Sequence, residues 1–145
     1  MKNLTHKAVE LFSKDLYATQ ATGAKLVEVG KQYAKSTLAI QPLHRNAMGG
    51  VMGGAMFTLA DLAFAAAANS SNIEAGEPLT WVTTGSNIHF LSQPAGDNLT
   101  AVTQCVKSGK ATCLYYVNIY DDRQTLVTTV AITGRKVTNP QKQQT

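Results

Sequence analysis

The spacing of apolar positions changes along this chain, and each change marks an element. Over residues 3–20, Leu4, Ala8, Leu11, Phe12 and Leu16 recur at helical spacing with Lys7, Glu10, Lys14 and Asp15 between them. That pattern predicts an amphipathic helix, with Gly23 closing the segment. Residues 25–40 carry Leu26, Val27, Val29, Tyr33, Leu38 and Ile40 among polar residues, which suits a first strand pair or one bent strand before Pro42. From His44 to Asn72 the sequence HRNAMGGVMGGAMFTLADLAFAAAANSSN runs from a polar turn through two glycine pairs into an alanine-rich apolar run. Ala, Leu and Met favour helix, and the glycines suit a tight entry turn. Met56, Phe57, Leu59, Ala60, Leu62, Ala63 and Phe64 cover every side of that helix, so burial all round is expected. Gly76 and Pro78 break the chain after it.

The second half reads almost entirely as strand. Residues 80–91 are rich in β-branched and aromatic types, with Pro94 and Gly96 at the exit. Residues 99–107 and 111–120 form two further strands joined at Ser108 and Gly109, and residues 125–137 form the last, after a turn at 121–124. About five strands, one central and one peripheral helix define an α+β protein, an antiparallel β-sheet wrapped around a long central helix. No repeat or second domain is visible, so one domain is expected across residues 1–145, with a disordered tail from about 140.

Composition narrows the function classes. With 44% hydrophobic and 15% charged residues the chain reads as an ordinary globular protein. Its net charge of +4 is spread without a Lys/Arg run, so nucleic acid is not implied, while single lysines remain available to phosphates on a small ligand. Cys105 and Cys113 match neither a metal spacing nor a disulfide framework and read as reduced strand residues. The run Val51–Ala68 does not suit a membrane span: Asp61 lies near its middle, glycines interrupt its start, and Asn69, Ser70 and Ser71 follow. MKNLTHKAVELF has no apolar core of signal-peptide length, and a cytoplasmic location is the default expectation.

Asp61 is the only charged side chain between Asn46 and Ile73. A buried carboxylate with no charged neighbour in sequence is costly, which makes it the first candidate for chemistry. Other chemistries find little support. The glycine-rich turn lacks the Lys-Ser/Thr ending of a phosphate loop, no G-x-S-x-G occurs, and His6, His44 and His89 lie far apart.

His44, Asn46, Gly49, the pair Gly53–Gly54 and Asp61 eight positions after Gly53 form a pattern that resembles the hotdog-fold acyl-CoA thioesterases of the phenylacetic-acid-degradation type. The resemblance continues through Asn87–Gly96 (NIHFLSQPAG), Lys107–Lys110 (KSGK) and Gly134–Lys136 (GRK), covering the chain from about Thr22 to Thr138. One position departs from it: the family has histidine immediately before the glycine pair, where this chain has Met52.

The resemblance implies thioester hydrolysis, and the residue chemistry fits. A carbonyl under attack gathers negative charge on oxygen, which the Gly53 N–H at a helix N-terminus can stabilise, with no side chain there to block the acyl group. Asp61 would act as general base toward water or as a nucleophile. Asn46 offers an amide donor to the carbonyl or a water, though in a glycine-rich turn it is equally a turn former. Thr83 takes, by resemblance, the place of a residue that binds the attacking water or orients the carboxylate. Gly54, Met52 and His44 complete the substrate turn, with His44 read mainly as tying that turn down. Lys107, Ser108, Gly109 and Lys110 are the candidates for coenzyme A phosphates, with Arg135 and Lys136 second. His89, on the face of Thr83 by alternation, reads as a packing or interface residue.

No cofactor beyond the coenzyme A of the substrate is expected. Gly53 and Asp61 are about 12 Å apart along one helix, too far to act on one carbon, so a homodimer with shared sites is expected, and the resemblance implies a dimer of dimers. Two alternatives stay open. A non-catalytic acyl-CoA-binding protein is compatible with Met52; a hotdog dehydratase would need a helix histidine, and residues 52–69 contain none. The acyl group is not readable.

Overall fold

The computed structural model describes residues 3–137. Helix α1 (Leu4–Phe12) starts at Asn3, whose side-chain oxygen accepts the His6 N–H. It stops well short of residue 20. The Ser13 hydroxyl donates to the Glu10 carbonyl at 2.6 Å, and Lys14 and Asp15 close three-residue turns onto Leu11 and Phe12. Such local bonds compete with the helix ladder. Residues Tyr17–Ala21 then form a separate, wider π-helical turn, closed by the Thr22 N–H on the Tyr17 carbonyl.

The predicted first strand region is two strands, β1 (Lys25–Gly30) and β2 (Tyr33–Ala39), paired antiparallel. Their reversal uses no glycine at the strained position: Gln32 takes φ 52° there, and its N–H donates to the Ser70 hydroxyl. With β3 (Trp81–Phe90), β4 (Asn98–Ser108), β5 (Thr112–Tyr120) and β6 (Leu126–Lys136), the described residues make one six-stranded antiparallel sheet in the order β1-β2-β4-β5-β6-β3. Cys105 and Cys113 lie in β4 and β5 as free thiols.

Helix α2 (Gly53–Ala68) lies in the concave face of this sheet, followed by α3 (Ser70–Ala75). Leu59, Ala60, Ala63, Phe64, Ala66 and Ala67 are buried against Leu38, Leu99, Tyr115, Val117 and Ile132 of the strands. The alanines allow a close helix-to-sheet approach, and the Ser36 hydroxyl bonds the Leu59 carbonyl across it. Phe64 packs edge-on to Tyr115 and sits over Gly134, where a Cβ would come within 2.8 Å of its ring. Burial is not complete all round: Phe57, Thr58, Asp61 and Ala65 form a half-exposed stripe. No described helix is long and apolar enough to cross a membrane. The expected disordered tail from 140 lies outside the described residues.

Candidate active site

α2 and β3 bring Asp61 and Thr83 together. The Thr83 hydroxyl donates to Asp61 Oδ1 at 2.7 Å. Burial in the apolar helix surface pushes the Asp61 carboxyl above its ordinary value, and the Thr83 hydrogen bond opposes that rise.

Two local features create the contact. β3 carries a bulge at Thr84: Thr83 pairs with Gly134 and Gly85 with Thr133, leaving Thr84 between them. Thr83 therefore shares the inner face of the sheet with Gly134, whereas His89, opposite Thr129, lies on the outer face. The alternation that placed His89 beside Thr83 is broken by this extra residue. The second feature is Asn69, fully buried at the end of α2. Its amide nitrogen donates to the Ala65 and Trp81 carbonyls, and its oxygen accepts the Thr80 and Trp81 N–H groups at 3.0 and 2.9 Å. Asn69 thereby welds the C-terminus of α2 to the start of β3. Nothing in the sequence marked it beyond its place at the end of an apolar run.

The other end of α2 forms a second environment. Met52 precedes the helix in extended conformation, 48% exposed, its thioether capping nothing. Its carbonyl accepts the Ala55 and Met56 N–H groups, while those of Gly53 and Gly54 have no acceptor among the described residues, as befits a first helical turn. A Cβ on Gly53 would lie 2.5 Å from the Phe90 ring, so close packing also demands glycine there. Asn46 holds the entry turn: its side-chain oxygen accepts the Met48 and Gly50 N–H groups, both at 3.0 Å. The turn-forming role is thus realised, and the amide nitrogen of Asn46 remains free to donate. Asn46, Gly53, Met56 and Phe90 line a cleft of 430 Å³.

His44 does not belong to a binding surface. It is buried, with Nδ1 accepting the Gln41 N–H and Nε2 donating to the Thr22 carbonyl at 2.6 Å. Both ring nitrogens are committed to backbone, so the substrate contact allowed for it in the sequence is replaced by the tying role.

Asp61 lines a different cleft, of 340 Å³, together with Asp15, Tyr17, Ala18, Phe57, Thr58, Leu62 and Ala65. No residue lines both clefts. Within one chain, then, the Gly53 end and Asp61 do not converge. Lys107, Ser108, Gly109 and Lys110 sit at the exposed β4–β5 hairpin, in line with Thr83 across the sheet through Ser108–Cys113, Cys113–Gly134 and Gly134–Thr83. Arg135 and Lys136 emerge at the same end, and among the described residues none of these four cations has an ion-pair partner.

A helix cradled in an antiparallel sheet, with a hydroxyl-bound carboxylate midway along it and a glycine pair opening it, defines a hotdog-fold protein with its candidate site on the central helix. Residues 48–128 match the model of the thioesterase superfamily, a span that includes Gly53, Asp61, Thr83 and Lys107–Lys110. The chain belongs to the thioesterase superfamily. It is 32% identical over 129 residues to the acyl-coenzyme A thioesterase PaaI of Escherichia coli K12, covering 86% of this chain and 87% of that one. The solved structure of E. coli PaaI, from the phenylacetic acid degradation operon, superimposes with a TM-score of 0.77 at 29% identity, covering 93% of this chain and 96% of that chain. The fold alone is shared with a Streptococcus mutans protein solved bound to acetyl-CoA, with a TM-score of 0.69 at 23% identity, covering 79% and 88% of the two chains.

Proposed function

We propose that this protein hydrolyses acyl-CoA thioesters to free acid and coenzyme A at sites shared between two copies of the chain. The observation that carries the reading is the Asp61 carboxylate, half-buried, held by Thr83 and opening onto an otherwise largely apolar cleft. The activity named for E. coli PaaI supports the substrate class.

Thr83 occupies Oδ1 of Asp61 and leaves Oδ2 to take a proton from water. Hydroxide then adds to the thioester carbon, the carbonyl oxygen becomes anionic, and collapse expels the coenzyme A thiolate, which takes up a proton. The oxyanion needs donors with no other acceptor, and the Gly53 N–H with the Asn46 amide meets that need. Direct attack by Asp61 to give a mixed anhydride uses the same groups, and single turnover in heavy-oxygen water separates the routes by labelling the carboxylate only in the second. Lys107 and Lys110, exposed and without ion-pair partners among the described residues, would hold the phosphates.

The shared site is supported by the open edge of β3. Its outer edge has no neighbour among the described residues, although ten residues long and bearing exposed Val82 and Phe90. Such an edge calls for a covering strand. Antiparallel pairing with a second copy about a two-fold axis near Ser86–Asn87 sets the Thr83 end of one chain against the Phe90 end of the other. Asp61 bonds Thr83 and Gly53 packs under Phe90, so each Asp61 approaches the other chain's Gly53. Two such dimers back to back would give the expected dimer of dimers.

Release of coenzyme A thiol from a panel of acyl-CoAs tests the reading. The parent protein is expected to turn over at least one of them, and Asp61→Asn to do so roughly 100-fold or more slowly. Acyl-CoA binding without thiol release would establish the non-catalytic alternative instead.

A further inference from the structure

The cleft beside Asp61 has a second carboxylate that the hydrolysis does not use. Asp15 lies in the segment between α1 and the π-helical turn, exposed at the open side of this cleft. Its backbone is pinned: its N–H bonds the Phe12 carbonyl, and its own carbonyl accepts both the N–H and the hydroxyl of Thr19 at 2.9 Å. Its carboxylate has no hydrogen bond or ion pair among the described residues. Asp15 and Asp61 are the only charged residues lining the cleft, whose remaining walls include Tyr17, Phe57 and Leu62. Burial and the Asp61 charge both push the Asp15 carboxyl upward.

This environment suits one end of an acyl-CoA and not the other. Phosphates belong with the unpaired cations of the β4–β5 hairpin, while an apolar cleft with two carboxylates repels any anion. We infer that the cleft between α2 and residues 15–18 receives the acyl group, and that Asp15 is a specificity-determining residue that admits neutral acyl groups and turns away those ending in a carboxylate. The inference rests on the thioesterase reading of the same site.

The test compares butanoyl-CoA with succinyl-CoA, four-carbon acyl groups that differ in the terminal carboxylate. The ratio of kcat/KM values, neutral over anionic, is measured for the parent, Asp15→Asn and Asp15→Lys. Removing this like charge from the cleft is expected to lower the ratio roughly tenfold, and reversing it to lower it further. Burial and the Asp61 charge both penalise the Asp15 carboxylate, so neither variant is expected to melt below the parent at neutral pH. A parent ratio near one, or a ratio unmoved in both variants, would overturn the inference while leaving the thioesterase reading intact. Absence of thiol release from every acyl-CoA would remove the reading itself, and this inference with it.

Discussion

In the proposed hydrolysis a single carboxylate and the hydroxyl that holds it carry the chemistry. Because burial raises the Asp61 pKa, its charged form costs stability in the folded state at every pH above that raised value. Below the ordinary carboxylate range both folded and unfolded chains are protonated and the cost disappears. Asp61→Asn is therefore expected to melt higher than the parent at neutral pH, with the difference shrinking as pH falls through the folded-state value; calorimetry across that range reads it directly. Thr83 works in the other direction, since its hydrogen bond holds the carboxyl down. Thr83→Val should move the acid limb of kcat/KM to higher pH and lower the neutral-pH rate several-fold, as expected for a less ionised and less oriented base. An acid limb that stays in place would mean the hydroxyl does not tune the base.

At the scale of elements, the site depends on how α2 is joined to β3. Asn69 fills that joint with four hydrogen bonds. Asn69→Ala would leave the Thr80 and Trp81 N–H groups without their acceptor, a loss of about 2 kcal/mol or more of stability by denaturant titration. Because the joint aims β3, the same variant should lower kcat even where it is fully folded. Asp61 and the helix around it were legible because an isolated charge in an alanine-rich run contrasts with everything beside it. The strands were legible from their β-branched content. The Thr84 bulge was not, since one extra residue leaves no mark in composition, yet it reverses the face of His89 relative to Thr83. The end of α1 was hidden for a related reason. Leu16 continues the helical spacing past Ser13, while the break is made by hydrogen bonds of Ser13, Lys14 and Asp15 that no periodicity records. Asp15 is exposed, as a charge between apolar positions would be, and also lines the Asp61 cleft, which no periodicity records.

For the whole molecule, the half-exposed stripe of α2, which lines the Asp61 cleft, and the open edge of β3 belong to one question, how the site is completed. One chain holds the Gly53 cleft and the Asp61 cleft apart, and the proposed dimer would unite them. Mixed dimers test this most directly. Asn46→Asp keeps the oxygen that accepts the Met48 and Gly50 N–H groups while removing the amide donor and adding a charge where the oxyanion would form. It and Asp61→Asn, each inactive alone, are unfolded, mixed in equal amounts and refolded. A shared site predicts that every mixed dimer has one site with both lesions and one with neither, so thiol release should return to about a quarter of the parent value under random pairing. Failure to recover activity, with mixed dimers demonstrated by mass, would place Asn46 and Asp61 in one site of one chain and contradict the account.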